Sequence, residues 1–381
     1  MESDLSQQRV HFFNLDVLRF VAAFMIVVFH GHLAYSGWFA PPPFLASESD
    51  PKQLSLIGKF FQPFLMNLDM GVDFFFLISG FLITYLLLHE KKSLGKINIK
   101  NFYIRRILRI WPLYFLIVLL TPLLIRLSDE SQPDYWWTVF FMNNFYTINN
   151  LGAEFPFVHF WSVCIEEHYY LFWPLIIAFV PYNRLPLCFS LIIISSIVFR
   201  ALAFSYSPDW YMHISYSTFS KMDVLAIGSW LGYLHMEGKT GVQVNKIAQI
   251  LFILLFLLVL FIGKSQAGTL FLVCFKKYIF IGGFVFIFMN YMFNPKSFLV
   301  FKSKNLIHYL GKISYGIYMY HNILFPFIIK KIMWPMGNSN FYLFIGIYFS
   351  LILLLSIISY ELFEKHFLKL KDRFALIKTS R

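Results

Sequence analysis

The sequence predicts an all-α, polytopic integral membrane protein with about ten transmembrane helices. Of its 381 residues, 58% are hydrophobic and only 14% are charged, whereas about a quarter of a typical soluble chain is charged. The apolar residues also occur in blocks long enough to span hydrocarbon, which takes about 20 residues for each helix. Phe alone occurs 48 times, so helix faces that meet lipid can be apolar all round.

Ten apolar segments follow one another along the chain. The second is short for a transmembrane span, and prolines inside segments are tolerated where neighbouring helices satisfy the freed carbonyl groups. The segments lie near residues 13–34, 72–89, 108–126, 161–180, 186–205, 217–235, 247–263, 278–293, 306–329 and 341–362.

The basic residues between these segments predict the orientation. Most of them fall on one side of the membrane, and the positive-inside rule places that side, with both termini, in the cytoplasm (N-in and C-in). Residues 1–12 are then a cytoplasmic N-terminal segment, 13–365 a single membrane domain and 366–381 a basic cytoplasmic tail. We expect a multi-pass protein of the cytoplasmic (inner) membrane, in which contact with membrane lipids, and not with nucleic acid, explains the net charge of +12.

The sequence offers little for a metal or for disulfides. Its three cysteines, Cys164, Cys188 and Cys274, show neither ligand spacing nor an even-numbered framework. In the predicted orientation the longest outer stretches are 35–71 and 127–160. The second is rich in aromatic residues and Asn, a composition that suits either stacking on sugar rings or an interfacial aromatic belt.

The first segment contains three ionisable residues that share a face. Arg19 and His30 are eleven residues apart, within ~20° of three full turns, which puts His30 ~16 Å further along the same side. Asp16 is three residues before Arg19 and can pair with it. An ionisable group within a span costs ~2.5–3.5 kcal/mol, so each needs a partner or a task. His30 can act as a base toward an alcohol; the alternative is a structural hydrogen bond to a neighbouring helix.

The second segment contains Asp73, Ser79 and Gly80 in an otherwise apolar run. We expect Asp73 either to orient and charge-balance a cation such as His30 or to cap its helix. Ser79 and Gly80 let another backbone or a substrate approach closely.

The third segment begins with a cluster of arginines. Arg105 and Arg106 lie four and three residues before Arg109, so the three guanidinium groups are expected to share a cytoplasmic rim. Planar guanidinium forks suit the phosphates of a nucleotide-bearing donor. Anchoring to lipid headgroups is the alternative.

The fourth segment opens with Trp161 and Ser162 and contains Glu166, one helical turn after Ser162. One carboxylate facing the bundle could partner a cation of the first segment or act as a second acid or base. Further along, Asp223 is more often a buried structural acid paired with a cation than a catalyst. His321 is the weakest of these candidates.

These stretches, in this order, resemble the membrane acyltransferase-3 family, which modifies surface polysaccharides, lipopolysaccharide, signalling glycans and some antibiotics. The resemblance covers about residues 13 to 365. Its matching elements are LDVLRFVAA with His30 at the family's Arg-to-His spacing, GVDFFFLISGFLI, RRILRIWPLY, WSVCIEEHYYLFWP, KMDVLAIGSWLG and ISYGIYMYH.

The resemblance implies a membrane domain of about ten helices without a tightly bound cofactor. It implies a cytoplasmic acyl-coenzyme A donor, usually acetyl-CoA, and a glycan or lipid-linked sugar acceptor reached from the outer side. It also implies essential roles for Arg19 and His30, with the RRILR arginines and Glu166 in support. We expect no extracellular esterase-like domain on this chain, and any such partner would then be a separate extracytoplasmic protein. His168, Tyr169, Cys164 and Lys221 depart from the family pattern.

We therefore expect a transmembrane O-acyltransferase, and in particular an O-acetyltransferase. Two alternatives use similar residues. A proton-coupled transporter or glycolipid flippase also has intramembrane acids, His and Arg, but such proteins tend to show inverted repeats, and this sequence shows none. The other type of membrane-bound O-acyltransferase uses a lone His and an Asn on separate helices, which the Arg19–His30 pair argues against.

Overall fold

The structure is a computed structural model in which regular secondary structure is helical. Within its described residues there is one exception, an isolated antiparallel bridge between Ala46 and Leu54. The all-α prediction is thus confirmed for this part of the chain. Most of the predicted N-terminal segment and the end of the basic tail lie outside it. The described residues are 12, 14–39, 41–43, 45–47, 53–150, 152, 155–241, 243–262, 269–298, 306–337 and 339–374.

Eighteen α-helices run through these residues, and four short 3-10 or π-helical segments adjoin them. The α-helices are α1 (Leu15–Trp38), α2 (Leu56–Asn67), α3 (Gly71–Leu94), α4 (Ile99–Ser128), α5 (Tyr135–Val139), α6 (Asn143–Asn149), α7 (Phe160–Phe179), α8 (Leu185–Tyr206), α9 (Trp210–Tyr216), α10 (Thr218–Met236), α11 (Lys246–Val259), α12 (Leu270–Phe275), α13 (Lys277–Phe293), α14 (Leu306–Lys312), α15 (Ser314–Tyr320), α16 (Leu324–Phe327), α17 (Phe341–Ser359) and α18 (Lys365–Asp372). The 3-10 turns are Leu68–Met70 and Tyr182–Arg184, and the π-helical segments are Ile328–Met333 and Tyr360–Glu364.

Six helical stretches of the described chain are long and apolar enough to cross a membrane, so this is a multi-pass membrane protein. The other predicted spans correspond to α7 and α10, which carry more polar groups, to α11, which has only 14 residues, and to the interrupted run α14 to α16. The six stretches are Leu15–Trp38, Leu56–Leu94, Ile99–Ser128, Tyr182–Tyr206, Leu270–Phe293 and Phe341–Asp372.

Two helices differ from the predicted boundaries in ways that matter for the site. The second predicted span is not short, because α2 continues through a 3-10 turn into α3 and the whole stretch has 39 residues. Helix α4 begins nine residues before the predicted position. It begins there because the side chain of Asn98 caps it, accepting a 2.9 Å hydrogen bond from the backbone N–H of Asn101. The RRILR arginines therefore lie inside a helix.

Helices α3 and α10 pack backbone to backbone, and glycines make this approach possible. A Cβ on Gly80 would lie 2.1 Å from the carbonyl oxygen of Leu225, and one on Gly228 would lie 2.1 Å from that of Leu77. Only a residue without a side chain fits at such a distance. The close approach predicted at Ser79–Gly80 is thus an approach of α10, and it fixes the α3 face that carries Ser79.

The run α14 to α16 is broken between Tyr320 and Leu324. Pro326 contributes to this break, because its ring cannot donate to the carbonyl four residues earlier, at Asn322, and clashes with it. A π-helical segment at Ile328–Met333 follows. The interruption lies next to His321 and gives α15 a C-terminal end inside the protein.

Candidate active site

A cavity of about 90 Å³ lies where α1, α3, α4, α7 and α15 meet. One buried water needs roughly 10–15 Å³, so the cavity can hold several waters or a small group. Polar side chains from five helices face it among aromatic and aliphatic ones. The lining residues are Arg19, Val72, Phe75, Phe76, Ser79, Leu82, Ile83, Arg106, Arg109, Ile110, Ser162, Val163, Glu166, Tyr170, Ser314, Tyr315 and Tyr318.

The cavity wall carries three guanidinium groups and one carboxylate. Arg19 comes from α1, and Arg106 and Arg109 come from consecutive turns of α4. The carboxylate is that of Glu166, which accepts a 2.6 Å hydrogen bond from the hydroxyl of Ser79. With all four groups ionised the wall has a positive formal charge, in surroundings where water screens little. Such a wall favours an anionic ligand.

Different contacts hold two of the arginines in place. Arg19 donates a 3.2 Å hydrogen bond to Asp16, which confirms the pairing expected from their spacing. The guanidinium carbon of Arg106 lies 5.5 Å from the ring centroids of both Phe102 and Tyr170. Within the described structure the buried Nε of Arg106 has no hydrogen-bond partner, so a donor remains available there.

His30 lies against a second imidazole and does not line the cavity. Its Nδ1 is 3.1 Å from the carbonyl oxygen of Ile26 and 3.2 Å from Nε2 of His321. The centroids of these two rings are 4.9 Å apart. His321 is fully buried, and its Nδ1 contacts the carbonyl oxygen of Tyr318. A predicted base and the weakest predicted candidate are therefore direct neighbours.

A third imidazole completes this cluster. The ring centroid of His159 lies 4.9 Å from that of His321, and its Nε2 is 3.0 Å from the carbonyl oxygen of Met319. His159 is 1% exposed, and its Nδ1 has no hydrogen-bond partner within the described residues. We call His30, His159 and His321 the histidine cluster.

Tyr318 connects the cavity with the histidine cluster. Its hydroxyl donates a 2.9 Å hydrogen bond to the carbonyl oxygen of His159 and lies 2.5 Å from the hydroxyl of Ser162. Both Tyr318 and Ser162 line the cavity, and the Tyr318 ring centroid is 5.3 Å from that of His321. One tyrosine thus contacts both the arginine-lined cavity and the histidine cluster.

The structure corrects the expected partner of Asp73. Its carboxylate lies 3.3 Å from the ammonium group of Lys221, and it does not contact His30. Among the described residues the hydrogen bonds of this carboxylate go to Lys221 and not to a backbone N–H at the start of α3, so Asp73 does not cap its helix. The reason is the close packing of α3 on α10, which turns this end of α3 toward Lys221.

The structure also separates Arg105 from the other two α4 arginines. Arg105 lies 3.3 Å from the carboxylate of Glu90 and donates a 2.9 Å hydrogen bond to the carbonyl oxygen of Phe374. Neighbouring helical residues point about 100° apart, so Arg105 cannot join Arg106 on the cavity side. The expected rim of three arginines is therefore wrong, and Arg19 of α1 takes the third place.

Asp223 and Trp161 lie away from the cavity. Asp223 is fully buried and accepts hydrogen bonds of 2.9 Å from Arg200, 2.7 Å from Lys277 and 2.6 Å from the hydroxyl of Tyr278. This is the paired structural acid that the sequence suggested. The ring of Trp161 packs edge-on against Tyr216, with centroids 5.2 Å apart.

Several residues of the site were not singled out from the sequence. Tyr315 and Tyr318, three residues apart in ISYGIYMYH, share the α15 face that lines the cavity, and their spacing could have indicated this. Tyr170, four residues after Glu166, carried the same signal. No pattern in the sequence indicated His159, because it precedes the fourth predicted segment and reaches the histidine cluster only through the tertiary fold.

Comparison with known proteins gives a family match over most of the chain. The model of a family described as Acyltransferase domain matches residues 12–361. The chain is 28% identical over 326 residues to the O-acetyltransferase OatA of Staphylococcus aureus strain NCTC 8325 / PS 47, covering 77% of this chain and 52% of that protein. It is 29% identical over 290 residues to "Putative O-acetyltransferase SACOL0978" of S. aureus strain COL, covering 68% of this chain and 46% of that protein.

The chain thus spans about half the length of the curated relatives that it matches. No solved structure matches it. The family match includes α1 with Arg19 and His30, α4 with its arginines, α7 with Glu166 and α15 with His321.

Proposed function

Because the chain belongs to this acyltransferase family, we propose that it is a transmembrane O-acetyltransferase. It moves the acetyl group of cytoplasmic acetyl-CoA, or another acyl group from its acyl-CoA, to a hydroxyl of an extracytoplasmic sugar, either a glycan or a lipid-linked sugar. The names of the relatives support the acetyl group. The observation that carries the proposal is the arginine-lined cavity separated by one tyrosine from a histidine cluster.

In the proposed topology the protein lies in the cytoplasmic membrane and crosses it about ten times. Both termini are in the cytoplasm. Six crossings are the long apolar helices, and α7, α10, α11 and the interrupted run after Leu306 supply the others. Arg19 lies near the start of α1, and His30 is ~16 Å further along it. In this topology the arginines are nearer the cytoplasm and His30 nearer the outer side.

The arginines are proposed to hold the donor. Arg106 and Arg109 meet the phosphates of coenzyme A near the cytoplasmic mouth, where guanidinium groups bind phosphate oxygens bidentately. The unpartnered Nε of Arg106 is one donor for this purpose. The narrow pantetheine arm then carries the thioester through the cavity toward Tyr318. Arg105 is engaged by Glu90 and is not part of this donor site.

His30 is proposed as the base. It takes the proton of the acceptor hydroxyl while that oxygen attacks the thioester carbonyl, and the carbon–oxygen bond forms as the carbon–sulfur bond breaks. The proton passes to the coenzyme A thiolate, which leaves as the thiol. Arg19, which lines the cavity about three turns before His30, grips the donor together with the α4 arginines. An acyl-enzyme on His30, a serine or a tyrosine is the other order of events, and the same residues serve it.

Tyr318 and Ser162 stand between the cavity and His30, so one of them must move for the thioester and the base to meet. A rotation of the Tyr318 side chain would be enough, since two hydrogen bonds hold its hydroxyl within the described part of the chain. Because this residue separates the two sides of the protein, it also keeps the donor from hydrolysis until an acceptor is present.

The function is tested with purified protein in detergent or vesicles, radiolabelled acetyl-CoA and a panel of soluble oligosaccharides. We expect thioester turnover that depends on the oligosaccharide and is lost in His30→Ala, because a positioned general base contributes roughly 10²–10⁴-fold. Near-normal acylation by His30→Ala would remove His30 from the chemistry. Transport of a solute without thioester turnover would overturn the enzyme proposal.

The donor site is tested by substitution of one arginine at a time. Arg109→Gln should raise the KM for acetyl-CoA roughly tenfold to a hundredfold, the value of a hydrogen bond between charged groups. Arg126→Gln is the matched control, since Arg126 lies in the last turn of the same helix and does not line the cavity. Equal KM values for both variants would refute the docking of the donor on Arg109.

The acceptor is sought in the cell. Mass spectrometry of envelope glycans from cells with and without the gene should show a loss of acetyl-sized mass in one glycan. An unchanged glycan profile would contradict a glycan acceptor.

A further inference from the structure

The hydrogen bonds of the histidine cluster define which nitrogen atoms carry protons. A carbonyl oxygen only accepts, so Nδ1 of His321, which contacts the carbonyl of Tyr318, carries a proton. The Nε2 of neutral His321 is then an acceptor. It lies 3.2 Å from Nδ1 of His30, which is also 3.1 Å from the carbonyl of Ile26. Both neighbours of His30 Nδ1 are acceptors, so this nitrogen must be the donor.

The free lone pair of neutral His30 is consequently on Nε2. This is the nitrogen on the side of the ring away from the carbonyl of Ile26 and from His321. A base must present an unprotonated nitrogen, and a histidine held in the other tautomer cannot take a proton at that position.

The interruption of the helix at His321 explains how this arrangement is built. Helix α15 ends at Tyr320, and the last carbonyl groups of a helix have no partner within it. Two of these carbonyls bind imidazole N–H groups instead: that of Tyr318 binds His321 and that of Met319 binds His159. The broken end of α15 is thus a template that sets the orientation of both rings.

We propose that His321 is the positioning residue for His30. It accepts the Nδ1–H of His30 beside the carbonyl of Ile26, so it helps to hold the base in the tautomer with a free Nε2, and it stabilises the imidazolium that forms when His30 takes a proton. This inference rests on the proposed function, in which His30 is the base. The chemistry resembles that of a carboxylate behind a catalytic histidine, with a neutral imidazole in its place.

The surroundings of His321 support a functional role. Its side chain is fully buried, and Tyr318, His30 and His159 are the rings within contact range of it in the described chain. Packing alone would be better served there by an apolar residue, because a buried polar group stabilises the fold only when it is satisfied. Both of its nitrogen atoms are used, and one of them is used by the proposed base.

The test compares two substitutions at one position. His321→Leu removes the acceptor, whereas His321→Gln keeps a side-chain oxygen that can accept the Nδ1–H of His30. His32→Leu is the matched control: His32 is a buried histidine two residues after His30 on the same helix, and its Nδ1 has no hydrogen-bond partner among the described residues. All variants are first compared by size-exclusion profile and thermal unfolding in detergent.

We expect His321→Leu to lower the kcat of acetyl transfer roughly 100-fold, within the range for loss of a positioned base, with the KM for acetyl-CoA unchanged. The kcat of His321→Gln should be at least about tenfold higher than that of His321→Leu, and His32→Leu should keep the wild-type kcat. In ¹⁵N-histidine spectra the Nδ1–H resonance of His30 should shift more in His321→Leu than in His321→Gln, because the Leu variant removes one of its two acceptors while the carbonyl of Ile26 stays.

Three results would overturn the proposal. One is wild-type kcat in His321→Leu, and another is an equal loss in the folded Gln and Leu variants. The third is a His30 Nδ1–H resonance that does not respond to either substitution. A failure of the proposed function itself looks different, because His30→Ala would then keep its activity. If His30→Ala is inactive and His321→Leu is not, only the positioning role is refuted.

Discussion

The contact between α3 and α10 allows a sharp prediction, because one methyl group can separate the two helices. In Gly228→Ala the new Cβ would lie 2.1 Å from the carbonyl oxygen of Leu77, whereas ordinary contact begins at 3.4 Å. The obstacle is backbone and cannot rotate away, so the helices must part by about 1.3 Å.

The expected cost follows from this displacement. Overpacking of this kind costs typically about 1–3 kcal/mol, and the gain from Ala over Gly within a helix, about 1 kcal/mol, offsets part of it. Activity should fall as well, although no α10 residue lines the cavity. A shift of α3 by about an ångström would stretch the 2.6 Å hydrogen bond from Ser79 to Glu166 beyond hydrogen-bonding range.

Thermal unfolding in detergent and acetyl-transfer activity are the two assays. Gly282→Ala is the control, since a Cβ on Gly282 of α13 would meet nothing within 4 Å and should leave stability equal or higher. We expect a lower Tm and lower activity in Gly228→Ala only. If both variants unfold at the wild-type temperature, the helices are not in the close contact described here.

Three further outcomes follow from the structure. Asp223→Ala leaves Arg200 and Lys277 uncompensated in a buried site, so unfolding in detergent should require about 3–5 kcal/mol less, and an unchanged Tm would contradict the ion cluster. Tyr318→Phe removes the hydroxyl that holds this ring to Ser162 and to the carbonyl of His159, so the ring should move more freely and hydrolysis of acetyl-CoA without acceptor should rise relative to transfer; an unaltered ratio would argue against a gate. Arg105→Gln should leave the KM for acetyl-CoA within about twofold of wild type, since Arg105 binds Glu90 and not the cavity; a KM increase like that of Arg109→Gln would place it in the donor site.

The sequence predicted which residues belong to the site better than it predicted the contacts between them. Five of the cavity residues were expected to be catalytic or donor-binding, and Ser162, which lines it with them, was expected to have a supporting role. The five are Arg19, Ser79, Arg106, Arg109 and Glu166. Their roles in catalysis remain predictions. The reason for this success is general: an ionisable or hydroxyl group in an apolar span has no partner in lipid, so it stands out in the sequence and must face the bundle.

The sequence did not predict which ionisable residues pair between different helices. Asp73 was expected near His30 and contacts Lys221, and Arg105 was expected at the rim and contacts Glu90. Spacing along one helix defines which residues share a face, as it did for Asp16 and Arg19. It does not define which neighbouring helix that face meets.

By itself, the sequence determined the membrane class, the all-helical fold and the helix that carries both an arginine and a histidine, because these depend on local hydrophobicity and on the helical period. Only the tertiary structure decided that His321 contacts His30 and that Tyr318 contacts Ser162 at the cavity. Those contacts join residues 291 and 156 positions apart in the chain. The contact between the two histidines depends on the end of α15 beside His321, whose free carbonyls bind imidazoles, and no periodicity within a single segment can reveal it.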